Sequence, residues 1–135
     1  MIGLDTNVLV RHVTHDDAAQ TKSVERFLAT LTRSDPGFVS LATILELVWT
    51  LQRTYQFDLE SVAQYVHGLL ASDEIVVQAP DVVRRGLAHA LDAPGGFADA
   101  VVGLLAIDAG CDYTVTFDKR AARLPGMKLL ETSAG

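Results

Sequence analysis

The sequence predicts an α/β domain whose mostly parallel sheet is covered by helices on both faces. Two observations carry this. Short apolar segments alternate with longer helical ones from end to end, and several of the short segments are apolar on both faces, as strands buried between two helical layers must be. A length of 135 residues with 49% hydrophobic content suits a single core that buries roughly two thirds of the unfolded surface. One domain over 1–135 is expected, and two full domains are not.

The elements follow in order. Ile2-Gly3-Leu4 is a short apolar run that ends at Asp5-Thr6-Asn7, after which Val8, Leu9 and Val10 continue into a helix, a strand passing into a capped helix. Asp16 and Asp17 open the next helix, with Val24, Phe27, Leu28 and Leu31 on its apolar face and Lys22, Arg26 and Arg33 elsewhere. Pro36-Gly37 closes the connection, and Phe38-Val39-Ser40 reads as a second strand. Ser40 caps a helix from Leu41 to about Tyr55, and another runs from about Asp58 to Ala71. Ile75-Val76-Val77 is the third strand. Pro80 suits a first helical position, and the helix through Val82, Val83, Leu87 and Leu91 stops before Pro94-Gly95-Gly96. A helix from Phe97 to about Ala109 ends at Gly110, Tyr113 to Phe117 is the clearest strand, a short helix follows Asp118, and Met127 to Leu130 is the last strand. There is no internal repeat.

Eleven Lys+Arg against seventeen Asp+Glu give a formal charge of −6, so the average field of the chain does not attract polyanions and a nucleic-acid partner needs a local reason. The single cysteine, Cys111, makes no intramolecular disulfide and no thiolate metal site. With Asp5 so near the start there is no room for a secretory segment, and a reducing, cytoplasmic setting is expected. The longest apolar stretch, Ala100 to Ile107, lies between Asp99 and Asp108 and is far short of the roughly 20 residues that span a bilayer, so no membrane association is expected.

In an open parallel sheet, sites lie beyond the carboxyl ends of the strands. Asp5 ends the first strand, Asp118 follows the Tyr113–Phe117 strand, and Asp99 falls in the first turn of the Phe97 helix, so these three belong at one edge. Helix capping would account for any one of them alone. Glu46 interrupts the apolar segment Leu41 to Leu51; Ala42, Thr43, Trp49, Thr50 and Arg53 surround it, opposite a core stripe of Leu41, Ile44, Leu45, Val48 and Leu51. On the Asp99 side, Gly103 and Ala106 leave either room for an approaching ligand or space for tight helix packing. If the four acids converge, each close pair of like charges costs on the order of 4 kcal/mol at 4 Å and an effective dielectric near 20. Protonation of some members or a bound cation relieves this, and for a cation an oxygen-only donor set favours Mg²⁺, with Mn²⁺ as a substitute, over zinc. The chemistry that follows is metal-assisted attack of water on a phosphodiester.

Thr6 and Asn7 can cap the helix or stand behind the acids and hydrogen-bond a ligand. Lys119, Arg120 and Arg123 follow Asp118 closely, either as a solvated face or as charges near the proposed phosphate. His12, His15, His67 and His89 show no metal-ligand spacing, and Trp49 reads as core ahead of a base-stacking platform.

Asp5-Thr6-Asn7, Glu46 in a mid-chain apolar helix, Gly96-Phe97-Ala98-Asp99-Ala100 and Thr116-Phe117-Asp118-Lys119, in this order over essentially the whole chain, resemble a PIN domain. The run Val115 to Leu124 and the compact length are most similar to the VapC-type toxins of bacterial toxin–antitoxin pairs. The resemblance implies a three-layer α/β/α domain with a mostly parallel four- or five-stranded sheet. It implies a Mg²⁺-dependent endoribonuclease with Asp5, Glu46, Asp99 and Asp118 as catalytic and metal-binding acids. Relatives often carry an extra acid or a hydroxyl residue two positions before the last acid; here it is Thr116, which can orient a ligand without adding charge. The implied partners are an RNA substrate, a VapB-type antitoxin that covers the groove with a basic side chain, and a second toxin subunit in a homodimer or toxin–antitoxin hetero-oligomer.

Two other functions compete. A metal-dependent α/β phosphohydrolase of another type also places an Asp after its first strand, but an aspartyl-phosphate mechanism wants a second acid nearby that Asp5-Thr6-Asn7 lacks. A noncatalytic module could instead receive a partner's arginine in the same acidic pocket. RNA cleavage separates the first reading from both.

Overall fold

A computed structural model describes residues 1–133. Among them five strands alternate with six helices: β1 (Ile2–Gly3), α1 (Thr6–Thr14), α2 (Ala18–Leu28), β2 (Gly37–Val39), α3 (Leu41–Arg53), α4 (Leu59–Ala71), β3 (Ile75–Val77), α5 (Pro80–Asp92), α6 (Phe97–Asp108), β4 (Thr114–Thr116) and β5 (Met127–Leu129), with a 3₁₀ turn at Ala121–Arg123. Every strand pair is parallel, and the hydrogen-bonded ladders group the strands as β1-β2-β3 and β4-β5. This is the α/β class the alternating sequence predicts. The short helix expected after Asp118 is a 3₁₀ turn, because Leu124 leaves the helical region just before Pro125, which disfavours that region for its predecessor.

Helix starts obey the capping residues. Asp17 accepts from the Gln20 N–H at 3.0 Å, Ser40 from the Thr43 N–H at 3.1 Å and Asp58 from the Ser61 N–H at 2.8 Å. Each side-chain oxygen satisfies a backbone donor that the first helical turn leaves unpaired. The chain forms two compact units, Met1–Pro80 and the part from Asp81 onward.

In the first unit, Ile2 lies opposite Gly37, and Phe38 opposite Val76. Asp5, Ser40 and Gln78 follow shortly after the three strand ends, and the carboxyl edge of this sheet launches α1 and α3. The Gln78 side chain accepts from the Leu41 N–H at 2.9 Å, which adds a second partner to the start of α3. Leu9, Val39, Ile44, Leu47, Leu51, Val62 and Val66 are wholly buried and form the core. The buried stripe of α3 is thus Thr43, Ile44, Leu47, Val48 and Leu51, turned from the sequence expectation, with Leu41 and Leu45 only half-buried.

α1 packs on both α2 and α3. A polar cluster ties them. Arg11 donates to Gln20 at 2.7 Å, to Asp16 at 3.0 Å and to the Tyr55 hydroxyl at 3.2 Å, while Tyr55 donates to Asp16 at 2.6 Å. The Tyr55 hydrogen bond, followed by that of Thr14 and the nearby Arg11 charge, holds the Asp16 carboxyl below the usual carboxylate range.

A cavity of about 560 Å³ in this unit is lined by Leu9, His12, Leu28, Tyr65, Leu69 and Ile75 with their neighbours. Inside it, His12 Nδ1 and the Tyr65 hydroxyl share a hydrogen bond of 2.7 Å. Desolvation by burial pushes the His12 imidazole below its ordinary range, with His15 adding to this and Glu25 opposing it. Because the folded pKa is depressed, the unfolded chain takes up the proton first. Stability from neutral His12 is therefore present above about pH 6.5, the unfolded value, and is lost as pH falls from there through the lower folded value. Unfolding in urea at pH 7.5 and 5.5 should show a loss on acidification that shrinks in His12→Phe. An equal loss in both proteins would remove His12 as the cause.

In the second unit, Gly86 of α5 meets Phe97 and Val101 of α6, where an added Cβ would lie 3.1 Å from each side chain. Val83, Leu87, Val101 and Leu104 are buried, whereas Leu91, expected on the apolar face of α5, is exposed near the helix end. No helix among the described residues is long and apolar enough to cross a membrane.

Candidate functional site

Asp5 is the N-cap of α1. Its Oδ1 accepts from the Thr6 N–H at 2.7 Å, and its exposed carboxylate keeps the second oxygen without a hydrogen-bond partner among the described residues. Capping therefore occupies only one of the two oxygens. Thr6 is buried, and its Oγ1 has no hydrogen-bond partner, so the hydroxyl does not cap α1. An orphaned buried hydroxyl costs about 1–3 kcal/mol, a cost that a polar group bound beside Asp5 could offset. Asn7 is exposed in the first turn and, with Arg11, Gln20 and Ser23, lines a groove of about 440 Å³ between α1 and α2.

Glu46 lies in the second turn of α3, exposed, with no hydrogen bond or ion pair among the described residues. Since α1 and α3 both start at the carboxyl edge of β1-β2-β3 and pack on one another, Asp5 and Glu46 lie toward the same end of the first unit. Two neighbours of Glu46 differ from expectation. Thr43 is buried, and Trp49 is not core: its indole is 63% exposed, because the buried stripe through Leu47 and Leu51 leaves positions 42, 46, 49 and 53 on the outer face.

In the second unit, Asp118 follows β4. Its Oδ1 accepts from the Arg120 N–H at 2.8 Å and the Ala121 N–H at 3.3 Å, which starts the 3₁₀ turn, and its own N–H donates to Thr116 Oγ1 at 3.1 Å. Thr116 thus fixes the backbone of Asp118, and Asp118 Oδ2 has no hydrogen-bond partner among the described residues. Asp99, in the first turn of α6, is half-buried and has no hydrogen bond or ion pair among the described residues. The turn that opens α6 touches the segment after Asp118: Arg120 Nε donates to the Pro94 carbonyl at 3.0 Å, and Gly95 abuts Leu124 and Ala121 so closely that no side chain would fit. Further along, Gly103 meets Met127 and Ile107 meets Gly126, so α6 runs antiparallel to β5 and its first turn lies toward the carboxyl end of the β4-β5 pair. Asp99 and Asp118 share that end. Gly103 serves tight packing, since a Cβ there would lie 3.1 Å from Met127 Sδ; Gly96 has nothing within 4 Å of such an atom.

Lys119 and Arg123 are exposed without ion-pair partners among the described residues, and Arg120 spends its Nε on Pro94. No group of three or more His, Cys, Asp or Glu side chains that could hold a metal ion occurs among the described residues. The donor chemistry of the four acids nonetheless fits a hard divalent cation: all are carboxylates, and each retains at least one oxygen free of protein hydrogen bonds.

Comparison with known proteins gives concordant results. A VapC ribonuclease from Aquifex aeolicus (strain VF5) is 25% identical over 122 residues, which covers 90% of each chain. The PIN domain family matches residues 2–127, nearly the entire chain and a span that includes positions 5, 46, 99 and 118. With the parallel α/β architecture and acids after β1 and β4, that match establishes that this chain belongs to the PIN domain family.

Proposed function

We propose that this protein is a metal-dependent endoribonuclease that hydrolyses RNA phosphodiester bonds, and that it is the toxin of a VapBC-type toxin–antitoxin pair. The observation that carries the reading is the PIN family match over a chain whose Asp5, Glu46, Asp99 and Asp118 keep unpartnered carboxylate oxygens. The similarity to a VapC ribonuclease supports the choice of RNA. In this reading residues 1–135 act as one domain and the four acids form one site.

The four carboxylates would hold Mg²⁺, or Mn²⁺ in its place. When bound, the cation polarises the phosphate and makes water a competent nucleophile near neutral pH. Asp5 and Asp118 are oriented by the backbone N–H groups they cap, so they meet a ligand with little loss of side-chain freedom. Thr6, Asn7 and Thr116 stand behind the acids. Lys119, Arg120 and Arg123 would contact RNA phosphates next to Asp118, the local attraction that a chain of charge −6 needs. A VapB-type antitoxin that places a basic side chain at the acids would neutralise the same pocket, and a second toxin subunit completes the proposed assembly in the cytoplasm.

The test is cleavage of total RNA by the purified chain, with end mapping. Cleavage should require Mg²⁺ or Mn²⁺ and leave 5′-phosphate and 3′-hydroxyl ends, because water rather than the ribose 2′-hydroxyl attacks. Undiminished activity in chelator, or 2′,3′-cyclic phosphate ends, would replace this mechanism with a metal-free one. Binding of a basic peptide without any cleavage would favour the noncatalytic module.

A further inference from the structure

We propose that Trp49 is a stacking platform for an unpaired base of the RNA substrate and that Arg53 holds an adjoining phosphate, on the exposed face of α3 that also carries Glu46. The proposal rests on the ribonuclease reading and describes how that same site grips its substrate.

Trp49 is the only tryptophan, and 63% of it is exposed. Tryptophan is highly buried on average, so an indole left in solvent on a helix forfeits burial that core packing would supply. Its exposure is dictated by the helix: Ile44, Leu47, Val48 and Leu51 occupy the core side, and Ala42, Glu46, Trp49 and Arg53 the outer side. Trp49 is three residues beyond Glu46, about 4.5 Å along the axis, and Arg53 follows one turn later. Arg53 is exposed and has no hydrogen bond or ion pair among the described residues, so its charge is available to a phosphate.

The composition of this face selects the ligand. Glutamate is depleted at the centre of a protein–protein interface, whereas here Glu46 lies within one helical turn of the indole. A flat apolar surface beside a free guanidinium matches a nucleotide, whose base stacks while its phosphate pairs with the cation. With Glu46 at the scissile phosphate, a base on Trp49 belongs to a nucleotide next to the cleaved bond. Because every base presents a π-face, the platform demands an unpaired nucleotide more than a particular base.

The experiment measures KM and kcat on a single-stranded RNA decamer of mixed sequence for the wild type, Trp49→Ala, Trp49→Phe and Arg53→Gln, with light scattering of each protein. The intrinsic fluorescence of wild-type Trp49 is recorded as the single-stranded decamer, or the same strand annealed to its complement, is added. Trp49→Ala should raise KM about tenfold and Trp49→Phe should recover most of this, as base–aromatic stacking energies require. Arg53→Gln should raise KM and flatten its salt dependence. The single strand should quench the fluorescence and the duplex should not. If the wild type cleaves RNA while Trp49→Ala leaves KM unchanged, the stacking role is overturned and the ribonuclease reading stands. If Trp49→Ala instead splits a dimer into monomers with KM per site unchanged, the face belongs to a second copy and the proposal is likewise overturned. A wild type that cleaves no RNA overturns the ribonuclease reading and the platform with it.

Discussion

Asp5→Asn and Asp118→Asn should each lower RNA cleavage at fixed Mg²⁺ by two orders of magnitude or more while the protein remains folded. The amide keeps the oxygen that each side chain uses in the fold: Asp5 Oδ1 accepts from Thr6, and Asp118 Oδ1 from Arg120 and Ala121. Asparagine caps helices about as well as aspartate, so the local structure should survive. What the amide lacks is the negative charge that a hard cation requires of its ligands. Stabilisation of transition-state charge by a metal is worth several kcal/mol, and each 1.4 kcal/mol is a factor of ten in rate. In metal-free buffer the variants should melt at or above the wild-type temperature, because any repulsion among the acids is relieved. Near-normal cleavage by both variants would defeat the catalytic assignment. Lost activity together with a collapsed melting temperature would return both residues to a purely capping role.

Leu51→Ala should have the opposite signature, a large loss of stability. Leu51 is wholly buried beside Leu47 and Val48 on the inner side of α3, and removing three carbons there deletes buried surface and leaves a cavity. The expected loss is about 2–5 kcal/mol. Against a typical total of roughly 5–15 kcal/mol this is a sizeable fraction, and the thermal midpoint should fall on the order of 10 °C. Glu46→Gln, on the outer side of the same helix, should cost no more than about 0.5 kcal/mol and abolish cleavage instead. Urea unfolding of the two variants side by side checks the contrast. A Leu51→Ala loss below 1 kcal/mol would show that the first unit relaxes around the site instead of retaining the cavity.

The order and kind of the elements were legible because capping residues and breakers act over a few positions. Asp17, Ser40, Asp58, Pro80 and Pro94-Gly95-Gly96 punctuate the helices where expected. Ends were less legible: the strand read over Tyr113 to Phe117 is Thr114–Thr116, since a strand lasts only as long as its neighbour pairs with it, and Met127–Leu129 pairs with those three residues alone. At the candidate site, the type and spacing of the four acids could be read directly, whereas sequence left capping and ligation as alternatives for Asp118, and only the structure shows its Oδ1 accepting from the Arg120 and Ala121 N–H groups.

What the sequence alone determined is what depends on local chemistry: the α/β alternation, the caps, the oxygen-only character of the acids and the motif order by which the family is recognised. Tertiary structure decided everything that depends on which way a helix is rotated and what packs against it. Periodicity places Leu45 and Leu47 near opposite borders of the apolar stripe of α3, and only the neighbouring elements choose Leu47 for the core, which turns Thr43 inward and sets Trp49 outward beside Glu46. Gly103 likewise has the same sequence signature whether it receives a ligand or a neighbour, and Met127, 24 residues away in the chain, fills the space. Long-range packing energies outweigh the small local preferences that would otherwise leave these choices open, so they are settled when the chain folds.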